Sequence, residues 1–132
     1  AVFDGCDTVA MCLKVFNEML KGLKARPDKM LLAAQRGFLN ATDLADYLVG
    51  KGLPFRVAYQ LSGQAVADCI RRGLTLEAYP LEDYQKLSDS IGADVYEALD
   101  LRRCVEKRTS LGGTAPESVK KQITYVRERY LL

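Results

Sequence analysis

The chain has 132 residues, of which 48% are hydrophobic and 27% charged. This composition indicates a globular domain with one hydrophobic core. The formal net charge of +2 is too small to favour binding to nucleic acid or to an anionic membrane. No apolar run approaches the roughly 20 residues needed to cross a bilayer and no signal peptide is visible, so we expect a cytoplasmic protein without nucleic-acid or membrane partners.

The first predicted element is a helix over residues 8–24, with Asp7 and Thr8 as candidate caps. Its apolar residues are spaced by threes and fours, which is typical of a helical-bundle seam: Val9, Leu13, Phe16, Leu20 and Leu23. A second helix is predicted to open at Pro27 and to end at Gly37. No strand pattern competes, so the sequence predicts an all-α chain.

Residues 40–56, NATDLADYLVGKGLPFR, predict a helix, a stop and a second helix. Asn40 or Thr42 is expected to cap the first of these, because a short polar side chain can accept a bond from an unpaired amide. Gly52 is expected to end it, and Pro54 suits the first turn of the next helix, which runs to about residue 72. The residues expected to face the core from this next helix are Phe55, Ala58, Leu61, Ala65, Val66 and Cys69.

Shorter helices are predicted after residue 80, over residues 81–87, 93–99 and 101–107. Two glycines then break the chain before TAPE, a capping-box pattern in which Thr114 would cap the final helix. The residues that this final helix is expected to turn toward the core are Val119, Ile123, Val126 and Tyr130.

Two of these segments carry a resemblance to a known family. The amino-acid sequence of residues 40–56 resembles the C-terminal part of argininosuccinate lyase, in the fumarase/aspartase superfamily. Residues 111–119, LGGTAPESV, are similar to that family's glycine-rich entry to its final helix. The resemblance implies that the first helix runs back through Ala1. It also implies two domains: residues 1–32 as a remnant of the central helical bundle, and residues 33–132 as the C-terminal helical domain.

The resemblance further implies an activity and an assembly. The family cleaves argininosuccinate to arginine and fumarate, a step of arginine biosynthesis, as a homotetramer whose subunits meet in the central bundle. Its serine-bearing loop and histidine-bearing segments lie upstream of the matching part. We therefore expect this segment to be structural and inactive alone, the tail of an enzyme. We assign it no catalytic, substrate-binding or metal residue and no cofactor.

The cysteines give little indication of a site. Their wide, irregular spacing and the absence of histidine predict reduced, buried thiols and no zinc site: Cys6, Cys12, Cys69 and Cys104. Cys104 has Arg103 beside it and Lys107 nearby, which could weakly activate its thiol.

Three surface features have an alternative interpretation as binding sites. The helices around Gly52 mimic a helix-turn-helix, although Asp68 shares the surface that would face DNA. The polar residues on that surface are Arg56, Gln60, Gln64 and Arg71. The GGT loop could hold an anion at a helix N-terminus, but a turn with a cap is the favoured interpretation. A basic cluster could bind an acidic partner, although a solvated face paired with Glu106 is commoner: Arg102, Arg103, Lys107 and Arg108.

Two other hypotheses keep the fold and drop the activity. One is a non-catalytic structural relative of the lyase, as in some lens proteins, and the other is a free-standing helical interaction module. The sequence upstream of Ala1 would separate them. In each case we expect self-association through the first helix, because Val15 and Met19 add apolar area beside its seam.

Overall fold

A computed structural model describes residues 1–130 of the chain. The helices are α1 (Val2–Lys21), α2 (Pro27–Arg36), α3 (Ala41–Gly50), α4 (Phe55–Arg72), α5 (Leu81–Leu87), α6 (Val95–Leu99), α7 (Leu101–Glu106) and α8 (Pro116–Tyr130). A short 3₁₀ turn lies over Leu76–Ala78, and no strand occurs in this range. The predicted all-α class is confirmed. None of the helices in this range is both long and apolar enough to cross a membrane.

Within the described range the chain forms two compact units, residues 1–31 and residues 32–130. The predicted domain boundary lies one residue further along. Whether the first unit is the remnant of a helical bundle stays a prediction.

Helix α1 begins at Val2, and this confirms the extension that the family resemblance implied. The expectation that Asp7 or Thr8 caps the helix was wrong, because the Thr8 hydroxyl donates to the Asp4 carbonyl at 2.9 Å from inside the helix. The helix also ends earlier than predicted, at Lys21, and none of its residues is buried. Its predicted seam is therefore exposed within the first unit.

The core of the second unit lies where α3 packs on α4. Leu44 and Leu48 on α3 meet the small side chains of α4, which allow the two helices to approach closely. The 3₁₀ turn, α5 and α6 complete the same core, whose further members are Leu76, Tyr79, Tyr84, Ile91, Val95 and Leu99. The buried Tyr84 hydroxyl donates to the Leu76 carbonyl at 2.9 Å, so it does not remain unpaired on burial.

Helix α4 follows the sequence prediction except at its first residue. Pro54 is its N-cap, and Gly73 ends it in the left-handed conformation with φ of 66°. Ala58, Ala65 and Cys69 are buried as predicted. The prediction for Phe55 was wrong: its side chain is 63% exposed.

The final helix departs most from the sequence prediction. None of the residues of α8 is buried, and the four residues predicted to face the core are 40–68% exposed. The predicted capping box is also wrong. Because α8 begins at Pro116, Ala115 and not Thr114 occupies the position before it, and Glu117 pairs with Lys120 at 2.9 Å.

Candidate functional site

An ion pair with one buried partner joins the start of α3 to the segment that follows α7. Asp43 is only 5% exposed, and one guanidinium nitrogen of Arg108 donates to both of its carboxylate oxygens, at 3.0 and 2.9 Å. Charge-assisted bonds of this kind are stronger than neutral ones. Since 65 residues separate the partners, this pair acts as a clamp between distant parts of the second unit.

Asn40 occupies the N-cap position of α3, as predicted, but its side chain forms no cap hydrogen bond. The side chain is fully buried. Its amide donates to the Leu99 carbonyl at 2.9 Å and to Glu77 Oε1 at 3.1 Å. The capping interpretation was therefore right about position and wrong about chemistry: Asn40 ties α3 to the end of α6 and to the 3₁₀ turn.

A third polar cluster ties the C-terminal end of α3 to the loop before α6. The Tyr47 hydroxyl donates to Asp94 Oδ1 at 2.9 Å and accepts from the Gly92 amide at 3.1 Å. Lys51 Nζ lies 2.8 Å from Asp94 Oδ2. This bond from Lys51 is the main reason that the pKa of Asp94 is lowered, so the carboxylate is ionised at neutral pH.

Helix α4, which the sequence analysis likened to the recognition helix of a helix-turn-helix, carries a network of ion pairs near its C-terminal end. Asp68 accepts from Arg71, Arg72 and the Tyr79 hydroxyl. The Tyr79 bond contributes most to the lowering of the Asp68 pKa, and burial raises the pKa of Tyr79 to about 12. Arg72 also reaches Asp83 at 2.6 Å. Arg71 and Arg72 thus form ion pairs within the chain, which favours a structural role for both side chains.

The GGT segment forms a closed turn. The Gly113 amide donates to the Ser110 carbonyl at 2.8 Å, and the Ala115 amide donates to the Arg108 carbonyl at 3.1 Å. Gly112 has φ of 78°, which favours glycine. Both bonds close the turn, so the turn interpretation is confirmed, although the cap that accompanied it is not.

The buried cysteines are Cys69 and Cys104, whereas Cys6 and Cys12 are exposed. The prediction of four buried thiols was therefore half wrong. Burial raises the pKa of Cys104 to about 11, and its thiol lies 3.4 Å from the Ala98 carbonyl. The hypothesis of an activated thiol at Cys104 was wrong, because the neutral form dominates near pH 7.

The basic cluster at α7 is divided among separate partners. Arg103 contacts Glu97, and Arg108 belongs to the clamp with Asp43, so the predicted pairing with Glu106 was wrong. Within residues 1–130, no group of three or more His, Cys, Asp or Glu side chains could hold a metal ion. The polar groups that the fold does bring together are those of the Asp43–Arg108 clamp and of the clusters at Asn40 and Tyr47. Their geometry is suited to holding helices together.

Comparison with known proteins identifies similar sequences over almost the whole chain. A family model described as argininosuccinate lyase C-terminal matches residues 38–106. The argininosuccinate lyase of Pelotomaculum thermopropionicum is 49% identical over 98% of the chain and 29% of its own length. That of Thermoanaerobacter sp. is 49% identical over 91% of the chain and 27% of its own length. The argininosuccinate lyase of Caldanaerobacter subterraneus is 50% identical over 85% of the chain and 26% of its own length. The chain thus spans between a quarter and a third of the length of these relatives.

Proposed function

The chain belongs to the argininosuccinate lyase family, and we propose that it is the C-terminal part of a lyase that cleaves argininosuccinate to arginine and fumarate. The observation that carries the proposal is the 49% identity over 98% of the chain to a lyase of which it spans 29%. The fold alone would not suffice, since one fold can serve several functions.

The role that we propose for this segment is architectural. Its Asp43–Arg108 pair and its buried Asn40 bonds link α3 to α6 and α7. Both are stabilising interactions within one small helical unit. Elimination needs an acid, a base and groups that stabilise carboxylate charge, and we propose that the part of the lyase outside this chain supplies them.

We also propose that the whole protein is a cytoplasmic homotetramer assembled through its helical bundle, to which α1 contributes. The apolar surface of α1 supports this proposal: Val9, Leu13, Val15, Phe16, Met19 and Leu20 are all at least half exposed. An exposed apolar face of this extent is typical of an interface.

A chimera tests the proposed function. The C-terminal part of the Pelotomaculum lyase that matches this chain would be replaced by the chain itself and expressed in an arginine-requiring strain that lacks argininosuccinate lyase. We expect growth without arginine from the chimera, and none from the chain alone or from the upstream part alone. A second chimera with the Thermoanaerobacter lyase controls for a poorly matched junction. Two chimeras that accumulate as folded proteins and give no growth would contradict the proposal.

A further inference from the structure

Phe38, between α2 and α3, has a backbone conformation that a residue with a side chain rarely adopts. Its φ is 51°, and within residues 1–130 every other residue with a positive φ is a glycine. In the left-handed region the Cβ atom crowds the following carbonyl oxygen, which shifts a conformational equilibrium by roughly five- to thirtyfold. Such strain persists only where the surrounding structure compensates for it.

The strained residue closes the end of α2. The Phe38 amide donates to the Gln35 carbonyl at 3.1 Å, and the Leu39 amide donates to the Ala34 carbonyl at 3.4 Å. These two bonds around a left-handed residue form a Schellman motif, in which the left-handed position is usually a glycine. The chain does have a glycine here, but one position earlier, at Gly37. A phenylalanine therefore stands where the backbone favours a residue without a side chain.

The contacts of the Phe38 ring explain its presence. Phe38 is the first residue along the described chain that packs against the core of the second unit, and no apolar residue of α2 does so. Helix α2 has no buried residue, and it is not among the helices that share extensive contacts with another element. The Phe38 ring is therefore the apolar contact that fixes the end of α2 to this core.

We propose that Phe38 is a latch for the end of α2. In the closed state its ring packs on the core and its backbone is held left-handed. In the open state the ring leaves the core, φ returns to negative values and the last turn of α2 comes apart. Burial of the ring favours the closed state and backbone strain favours the open one. The end of α2 therefore opens locally while α3 and α4 stay folded.

Trypsin cleavage of the 132-residue chain measures this opening at two sites. Arg36 ends α2 and Arg56 lies in the first turn of α4, and both are exposed. Cleavage after Arg36 thus reports the latch, whereas cleavage after Arg56 reports opening of the core formed by α3 and α4. When opening and closing are fast relative to cleavage, the rate follows the population of the open form.

Two substitutions at Phe38 separate the ring from the strain. Phe38→Ala removes the ring and keeps the Cβ atom, so cleavage after Arg36 should accelerate at least about fivefold because the burial of the ring is lost. Phe38→Gly removes the strain as well, so its cleavage after Arg36 should be at least about fivefold slower than that of Phe38→Ala. Cleavage after Arg56 should change less than cleavage after Arg36 in both variants.

Leu39 supplies the matched control. Its side chain is 66% exposed and its φ is not positive. Leu39→Ala should leave both cleavage rates unchanged. Leu39→Gly should not be cleaved more slowly than Leu39→Ala, because glycine relieves strain only where φ is positive.

Three results would overturn the latch. An unchanged rate after Arg36 in Phe38→Ala would show that the ring does not hold α2. A Phe38→Gly variant cleaved as fast as Phe38→Ala, or faster, would show that no strain is released. Equal acceleration after Arg36 and Arg56 would make Phe38 an ordinary core residue. If Phe38→Ala does not fold, Phe38→Leu takes its place, and it must accelerate cleavage after Arg36 more than cleavage after Arg56 for the proposal to stand.

Discussion

Gly113→Ala should damage the turn before α8 far more than changes at its two neighbours. A Cβ atom at Gly113 would lie 2.1 Å from the Arg108 carbonyl oxygen and 2.8 Å from the Ser110 carbonyl oxygen. Real Cβ atoms essentially never come within 3.0 Å of another atom, and both neighbours are backbone, so the turn must open. Opening breaks the Gly113–Ser110 and Ala115–Arg108 bonds, each worth about 0.5–1.5 kcal/mol. With the strain of overpacking, typically about 1–3 kcal/mol, we expect a loss of about 2–6 kcal/mol.

Urea unfolding of the chain, followed by circular dichroism, measures this loss, and the neighbours serve as controls. Gly112→Ala should cost only about 1–2 kcal/mol, because a Cβ there meets no atom within 4 Å and only the positive φ opposes it. Thr114→Ala should change little, since Thr114 precedes the N-cap position of α8. If Thr114→Ala caused the largest loss in the free energy of unfolding of the three, the result would support the capping box and contradict the turn geometry.

Three other changes test the clamp, the thiols and the first helix. Arg108→Ala should lower the free energy of unfolding by about 2–3 kcal/mol, because it leaves the buried carboxylate without its partner; an unchanged urea midpoint would contradict this. Burial raises the pKa of Cys69 and Cys104 from 9.0 to about 11, so the stability that depends on their neutral thiols is present below pH 9 and lost as the pH rises toward 11. The double alanine variant should flatten that decline in urea midpoints. Phe16→Asp or Leu20→Asp should weaken self-association of the chain in sedimentation, and a wild-type chain that is strictly monomeric at high concentration would defeat that prediction.

The helix boundaries were predictable because local chemistry determines them. Proline at a first turn and glycine at a stop act over only a few residues. Accordingly, α2 begins at Pro27, α8 begins at Pro116, and Gly73 closes α4. The start of α1 is different: its local cap signals at Asp7 and Thr8 misled, and the family resemblance gave the better position.

Which residues are buried was less predictable, because burial depends on what packs against a helix. Phe55 and Val126 fit apolar patterns, yet both are exposed within this chain. Asp43 looked like an ordinary acidic residue in a first helical turn, and nothing near it in the sequence indicates Arg108 as its partner. Asn40 has the residue type of a cap, and its burial against α6 comes from tertiary packing. Periodicity identifies an apolar face but not the surface that will cover it.

The rate of fumarate formation by the purified Pelotomaculum chimera, followed by ultraviolet absorbance with argininosuccinate as substrate, tests the central claim most directly. We predict turnover comparable to that of the intact Pelotomaculum lyase for the chimera and none for the isolated 132-residue chain. Comparable turnover by the isolated chain would contradict the assignment of the chemistry to the rest of the lyase. A folded, tetrameric chimera that forms no fumarate would contradict the assignment of this chain as the C-terminal part of a functional lyase.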